Sequence, residues 1–167
     1  MSSSLPSIVL VGAILLAISA APATSSAPNA KTSLVPIAFS LYCLDHLEEC
    51  KPSEVKAVNL TPRVEELLLK VNNRVNNDIK PAHEKFDTWT LNPRMGDCDD
   101  YVMTKRSRLI HAGIPPSALE VAVVKTPAGE GHAVLFVKTS AGELVLDNLR
   151  TQIVRRSQIP YRVLSVT

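Results

Sequence analysis

At Ile114-Pro115-Pro116-Ser117 the chain changes its hydrophobic period, and that change limits its fold more than any other feature. Before it, apolar residues recur at helical spacing; after it they alternate or run in short valine-rich blocks. LEVAVV (Leu119 to Val124), HAVLFVK (His132 to Lys138), ELVLDN (Glu143 to Asn148) and YRVLSV (Tyr161 to Val166) each read as a strand. Thr139-Ser140-Ala141-Gly142 reads as a hairpin turn between the second and third of these. Helices first and antiparallel strands second make an α+β domain.

Two helices are legible ahead of the change. Thr61 is a natural N-cap and Pro62 suits the first helical position; Val64, Leu68, Val71, Val75 and Ile79 then form one apolar stripe, ended by Pro81. Asn72 and Asn76 sit four apart beside that stripe, either on a solvated face or against a neighbouring loop. The second helix begins near Cys98. Gly96 ends a loop, Asp97 is placed to cap, and Asp99 and Asp100 lie in the first turn, where negative charge complements the helix dipole. Val102, Leu109 and Ile110 supply its expected buried side, His111 falls in the last turn, and Gly113 suits a left-handed C-cap.

The amino terminus addresses compartment. Ile8 to Ala21 is apolar but shorter than the roughly 20 residues a spanning helix needs, and Ala21-Pro22-Ala23 offers a small-residue cleavage site. Residues 1–23 therefore read as a secretory signal peptide, with no stable membrane span once it is removed. The absence of Lys or Arg before the apolar run leaves an uncleaved anchor as the alternative. Residues 24–36, rich in Ser, Ala and Pro, read as a flexible lead-in, and residues 37–167 as one domain with one sizeable core. A formal charge of +2, without a basic block or an aromatic ladder, gives no footprint for nucleic acid.

The chain has three cysteines, Cys43, Cys50 and Cys98. In an exported protein that suggests one bridge and one free thiol. Cys43 and Cys50 are the obvious pair; a bridge over so short a loop stabilises by roughly 2–3 kcal/mol on the chain-entropy estimate. The spacing of Cys43, His46 and Cys50 also allows a metal reading, which lacks a fourth ligand nearby. Cys98 is then the odd thiol.

Strand parity connects Cys98 to two further residues. If the hairpin loop has an even number of residues, His132 and Asp147 share one face of the sheet as opposed or diagonal neighbours. A helix start and a nearby imidazolium both lower a thiol pKa. Cys98, His132 and Asp147 thus have the logic of nucleophile, base and orienter, with a buried structural cysteine as the alternative. The Cys98 N–H, at a helix start, is an oxyanion donor on this reading.

The segment DTWTLNP, GDCDDYVMTKRSRLIHAGIPPSALEVAVV, GHAVLFVKTSAGELVLDNL resembles the bacterial transglutaminase-like cysteine proteinases, from Phe86 to Leu149. The resemblance implies a papain-like, transglutaminase-like fold with Cys98 as nucleophile, His132 as base and acid, and Asp147 as orienter. It also implies a periplasmic enzyme acting on a protein or peptide substrate, large surface adhesins among them. Trp89 would shape the cleft or help hold the oxyanion, with a plain core tryptophan as the other reading. Tyr101 and Lys105 would be structural, Lys105 as a pairing partner. Relatives bind calcium through acids beside the nucleophile, which here are Asp97, Asp99 and Asp100. Asp99 stands where a longer Glu is usual, and helix capping is the metal-free reading of the same acids. No organic cofactor is expected. The rival functions are transamidation through the same triad and a non-catalytic module that binds a partner.

Overall fold

Thr61 Oγ1 accepts the Val64 N–H at 3.3 Å and Pro62 opens a helix of five turns, as the capping signals predict. The computed structural model describes residues 37–83 and 88–167; the signal-peptide and lead-in readings of residues 1–36 lie outside them. Among the described residues no helix is long and apolar enough to cross a membrane.

Among the described residues four helices precede the sheet: α1 (Ile37–Asp45), α2 (Leu47–Cys50), α3 (Pro62–Asp78) and α4 (Cys98–His111). A short parallel pair, β1 (Lys80–Pro81) with β2 (Met95–Gly96), leads from α3 to α4. The main sheet contains β3 (Leu119–Lys125), β4 (Gly131–Thr139), β5 (Gly142–Leu146), β6 (Val154–Arg155) and β7 (Arg162–Val166). Its order is β6-β5-β4-β3-β7, and every neighbouring pair in it is antiparallel. The α+β expectation holds, with strand ends displaced. Asp147 lies just past β5, because its side chain takes the Leu149 N–H at 2.9 Å and turns the chain out of the ladder.

The sheet has two covered faces, as alternation requires. Val121, Ala133, Leu135, Val137, Leu144 and Leu146 join the core formed with α3 and α4. Val124, Val134, Phe136 and Val145 face the other way, under Ile159, Tyr161 and Val163.

Sequence reasoning assigned α4 a single apolar side of Val102, Leu109 and Ile110; instead the helix is buried from Asp99 to Ser107, and Ile110 is only half-buried. Arg106 and Ser107 are covered by α1 and α2, whereas Asp100 and Thr104 are met by the loop before the helix. The Cys43–Cys50 disulfide, with Cα atoms 5.6 Å apart, ties those two helices together and removes the metal reading of the same cysteines. Glu49 beside the bridge is buried, accepting from Tyr42 Oη at 2.7 Å and Ser107 Oγ at 2.6 Å. Its carbonyl accepts from Arg106 Nη2 at 2.7 Å. The staple thus delivers a carboxylate and a carbonyl to polar groups that would otherwise be buried unpaired. Gly113 follows the helix with φ +95°, the left-handed cap expected from its type.

Candidate active site

The start of α4 is built around Asp97 and Asp100. Asp97 is extended at the N-cap and its Oδ1 accepts the Asp99 N–H at 3.4 Å. Asp100 returns the interaction, its Oδ2 accepting the Asp97 N–H at 3.2 Å. Asp100 Oδ1 takes Thr90 N–H at 2.8 Å and Thr90 Oγ1 at 2.6 Å, which ties the preceding loop to the helix start. This close packing is why Gly96 lacks a side chain: a Cβ there would collide with the Asp100 carboxylate. Neighbouring Trp89 is half-buried and packs edge-on against Phe39 of α1, centroids 6.1 Å apart.

Cys98 is the first residue of α4 and is half-buried against β4. Strands β4 and β5 pair from Leu135↔Leu146 to Thr139↔Gly142, closing on the two-residue loop Ser140-Ala141. Ala133 lies two positions beyond the last pair, on the same edge, so its N–H has no strand partner there. That N–H favours the Cys98 thiolate, so the thiol lies beside the residue that follows His132.

The electrostatics differ from the sequence expectation of a depressed thiol. Burial pushes the Cys98 thiol up to about 11, and the Asp99 and Asp97 carboxylates push the same way, against the Ala133 and Cys98 amides. The flanking acids also do not point away from the sulfur. Asp97, Cys98 and Asp99 hold their ligand atoms within 4.8 Å of one another. The 100° step between helical neighbours fails here because Asp97 is extended, with its side chain folded over the helix start. Burial and the adjacent Asp97 raise the Asp99 carboxyl to about 8. Two crowded carboxylates with partly free oxygens suit a hard divalent cation, although they make only part of a calcium shell. Asp100 is not part of that cluster; it is fully buried and both its oxygens accept hydrogen bonds.

His132 and Asp147 meet as the parity argument predicts. The paired positions of β4 and β5 put Asp147 diagonal to His132, and His132 Nε2 lies 2.9 Å from Asp147 Oδ1 with both side chains buried. Burial alone would raise the Asp147 carboxyl. Hydrogen bonds from His132, the Leu149 N–H and Tyr161 outweigh it and hold the group below the usual carboxylate range. An ionised Asp147 can only accept, so Nε2 carries the proton and Nδ1 is left as the basic nitrogen. Among the described residues no hydrogen bond yet joins the thiol and the imidazole.

Of three residues around this pair, Asn72 and Asn76 take the second of their two readings, contact with a neighbouring loop, and Tyr161 exceeds the sequence reading. Asn76 Nδ2 donates to the Asp147 carbonyl at 3.0 Å and the Arg150 carbonyl at 3.1 Å. Asn72 Nδ2 donates to the Arg150 carbonyl at 3.1 Å, so both asparagines hold the loop after β5. Tyr161 Oη donates to Asp147 Oδ2 at 2.8 Å; in the sequence Tyr161 reads only as the start of a strand. Tyr101 is structural as expected, donating to the Ile79 carbonyl at 2.7 Å. Lys105 differs from its expected pairing. It is fully buried, its Nζ lacks a hydrogen-bond partner among the described residues, and it lies 6.0 Å from the Tyr101 ring centre. Burial lowers its ammonium to about 7, with the Asp147 charge acting in the opposite direction.

The chain matches the sequence profile of the family described as bacterial transglutaminase-like cysteine proteinase, over residues 29–167. No curated protein gives a match. Among solved structures, the calcium-bound form of Legionella pneumophila LapG superposes with a TM-score of 0.58 at 22% identity, covering 65% of this chain and 67% of that one. The EGTA-treated form gives 0.57 at the same identity and covers 65% of each chain. The shared fold is LapG-like, and the match spans about two thirds of each LapG chain. The profile, which covers most of the sequence, decides the family: the chain belongs to the bacterial transglutaminase-like cysteine proteinases.

Proposed function

We propose that the protein is an exported thiol peptidase that cleaves a peptide bond in a protein substrate through an acyl-enzyme on Cys98. The observation that carries this reading is the buried His132–Asp147 pair, with the Cys98 thiol beside the amide of the next residue, Ala133. His132 Nδ1 takes the thiol proton as sulfur attacks the scissile carbonyl carbon. The Cys98 N–H, with Trp89 as a second candidate, meets the developing oxyanion. The tetrahedral species collapses to a thioester as the imidazolium gives its proton to the leaving amine. Water, deprotonated by the same nitrogen, then releases the acid and regenerates the thiol.

Asp97 and Asp99 would hold calcium in this reading, and LapG has been solved calcium-bound. When bound, the cation neutralises the two carboxylates beside the sulfur. Large surface adhesins remain the expected substrate class and the periplasm the expected compartment. Signal-peptide cleavage is part of the same proposal.

Transamidation uses the same thioester and differs only in the acceptor. Turnover of a peptide substrate in the presence of a fluorescent primary amine separates the two. The peptidase reading predicts a free carboxylate product with little amine incorporated. Quantitative amine incorporation would assign the enzyme to acyl transfer instead. A pure binding module has no use for a buried His132 held on an ionised Asp147, which weighs against that rival.

A further inference from the structure

Tyr161 comes from the far end of the sequence yet completes the surroundings of the His132–Asp147 pair. It precedes β7, the edge strand beside β3, and its ring packs in the apolar cluster on the sheet face opposite α4. A carboxylate has two oxygens, and here their work is divided. Asp147 Oδ1 serves His132 and the Leu149 N–H at 2.9 Å each, while Oδ2 accepts from Tyr161 at 2.8 Å. The same ring stands edge-to-face to the imidazole of His132, centroids 5.8 Å apart at 79°. Arg150 lies 5.6 Å from the Tyr161 ring centre, with its Nε 3.9 Å from Oδ2.

We propose that Tyr161 is a positioning residue for the general base, locking the Asp147 carboxylate through Oδ2 and walling the imidazole so that Nδ1 is aimed at the thiol. The proposal rests on the peptidase reading of Cys98, His132 and Asp147. A bond to Oδ2 resists rotation of the carboxylate about Cβ–Cγ, which would otherwise exchange the oxygen facing His132. The ring restricts the imidazole from the side, as edge-to-face aromatic pairs do. Tyr161 also donates to the charged form of Asp147, so its hydroxyl favours the ionised state that orients His132. The other charged groups toward Asp147 are Arg150, on its own loop, and buried Lys105 from α4.

The test uses p-nitrophenyl acetate, an activated acyl donor that needs no knowledge of the natural substrate, with the full mature chain. Tyr161→Phe keeps the ring and removes only the hydroxyl. The expected result is kcat lower by about tenfold with KM nearly unchanged, on the scale of one hydrogen bond to a charged group. The acidic limb of its kcat/KM profile should move to higher pH, because Asp147 loses a donor that favoured ionisation. Tyr161→Leu should fall further, having lost the ring as well, and circular dichroism should show both variants folded. A Tyr161→Phe protein with wild-type kcat and an unmoved acidic limb overturns the proposal when His132→Ala is inactive in the same assay. If His132→Ala is itself active, the underlying peptidase reading fails instead.

Discussion

Replacing His132 with alanine is expected to lower turnover by on the order of 10⁶-fold while the domain stays folded, the scale found for loss of the base alone in a nucleophilic triad. The size of the effect follows from the state of the thiol. With Cys98 raised to about 11, the thiolate fraction at neutral pH is very small, and the sulfur depends on a neighbouring base during attack. His132 Nδ1 is the basic nitrogen that the pairing of Nε2 with Asp147 leaves available. Asp147→Asn should also cut activity strongly, because a neutral amide no longer fixes the imidazole tautomer. Leu149 and Tyr161 both donate to Asp147, so this variant should also lose roughly 1–3 kcal/mol of stability. Steady-state hydrolysis of p-nitrophenyl acetate, with circular dichroism as the folding control, checks both. Near wild-type rates in folded His132→Ala would remove the base from the account.

Chelation should have the next largest effect. Asp97 and Asp99 hold their oxygens within 4.8 Å of each other and of the sulfur. Their repulsion is about 1 kcal/mol in water at that range and several times more where water is excluded. EGTA should therefore lower the melting temperature, excess Ca²⁺ should restore it, and Mg²⁺ should not, since it demands tighter octahedral geometry.

The pH dependence of the chelated protein has a definite sign. Asp99 is raised to about 8, so between the ordinary carboxylate range and that value the folded state holds a proton that the unfolded state has released. Stability then falls as pH rises through that window. Asp99→Asn should flatten the slope and abolish the response to Ca²⁺. Alkylation of Cys98 by iodoacetamide at pH 7 should be slow in EGTA and faster in Ca²⁺, because a cation beside the sulfur favours the thiolate that the Asp97 carboxylate opposes. Identical melting and alkylation in EGTA and Ca²⁺ would leave these acids as helix caps alone.

The periodicity of α3, with its Thr61 cap and apolar stripe, was fully legible because local rules govern it. So was the hairpin parity relating His132 to Asp147, since a two-residue turn fixes register. The burial of Arg106 and Ser107 on α4 was not legible, because it depends on Glu49 being carried to them beside the Cys43–Cys50 bridge. Distance along the chain hid Tyr161 in the same way: it lies 14 residues beyond Asp147 and reaches it only through sheet topology. The raised state of Cys98 was not legible in the sequence. A helix start and a nearby imidazole argued for a depressed thiol, yet burial and two flanking carboxylates outweigh the amides.

The central claim is that Cys98 cuts peptide bonds. Its most direct test is mass-spectrometric mapping of protein N-termini in cells expressing either the wild-type chain or Cys98→Ala at equal abundance. The account predicts new N-termini in envelope proteins with the wild type and none with the variant. The same new N-termini in the Cys98→Ala cells, or no difference from cells lacking the protein while wild-type p-nitrophenyl acetate turnover is intact, would contradict it.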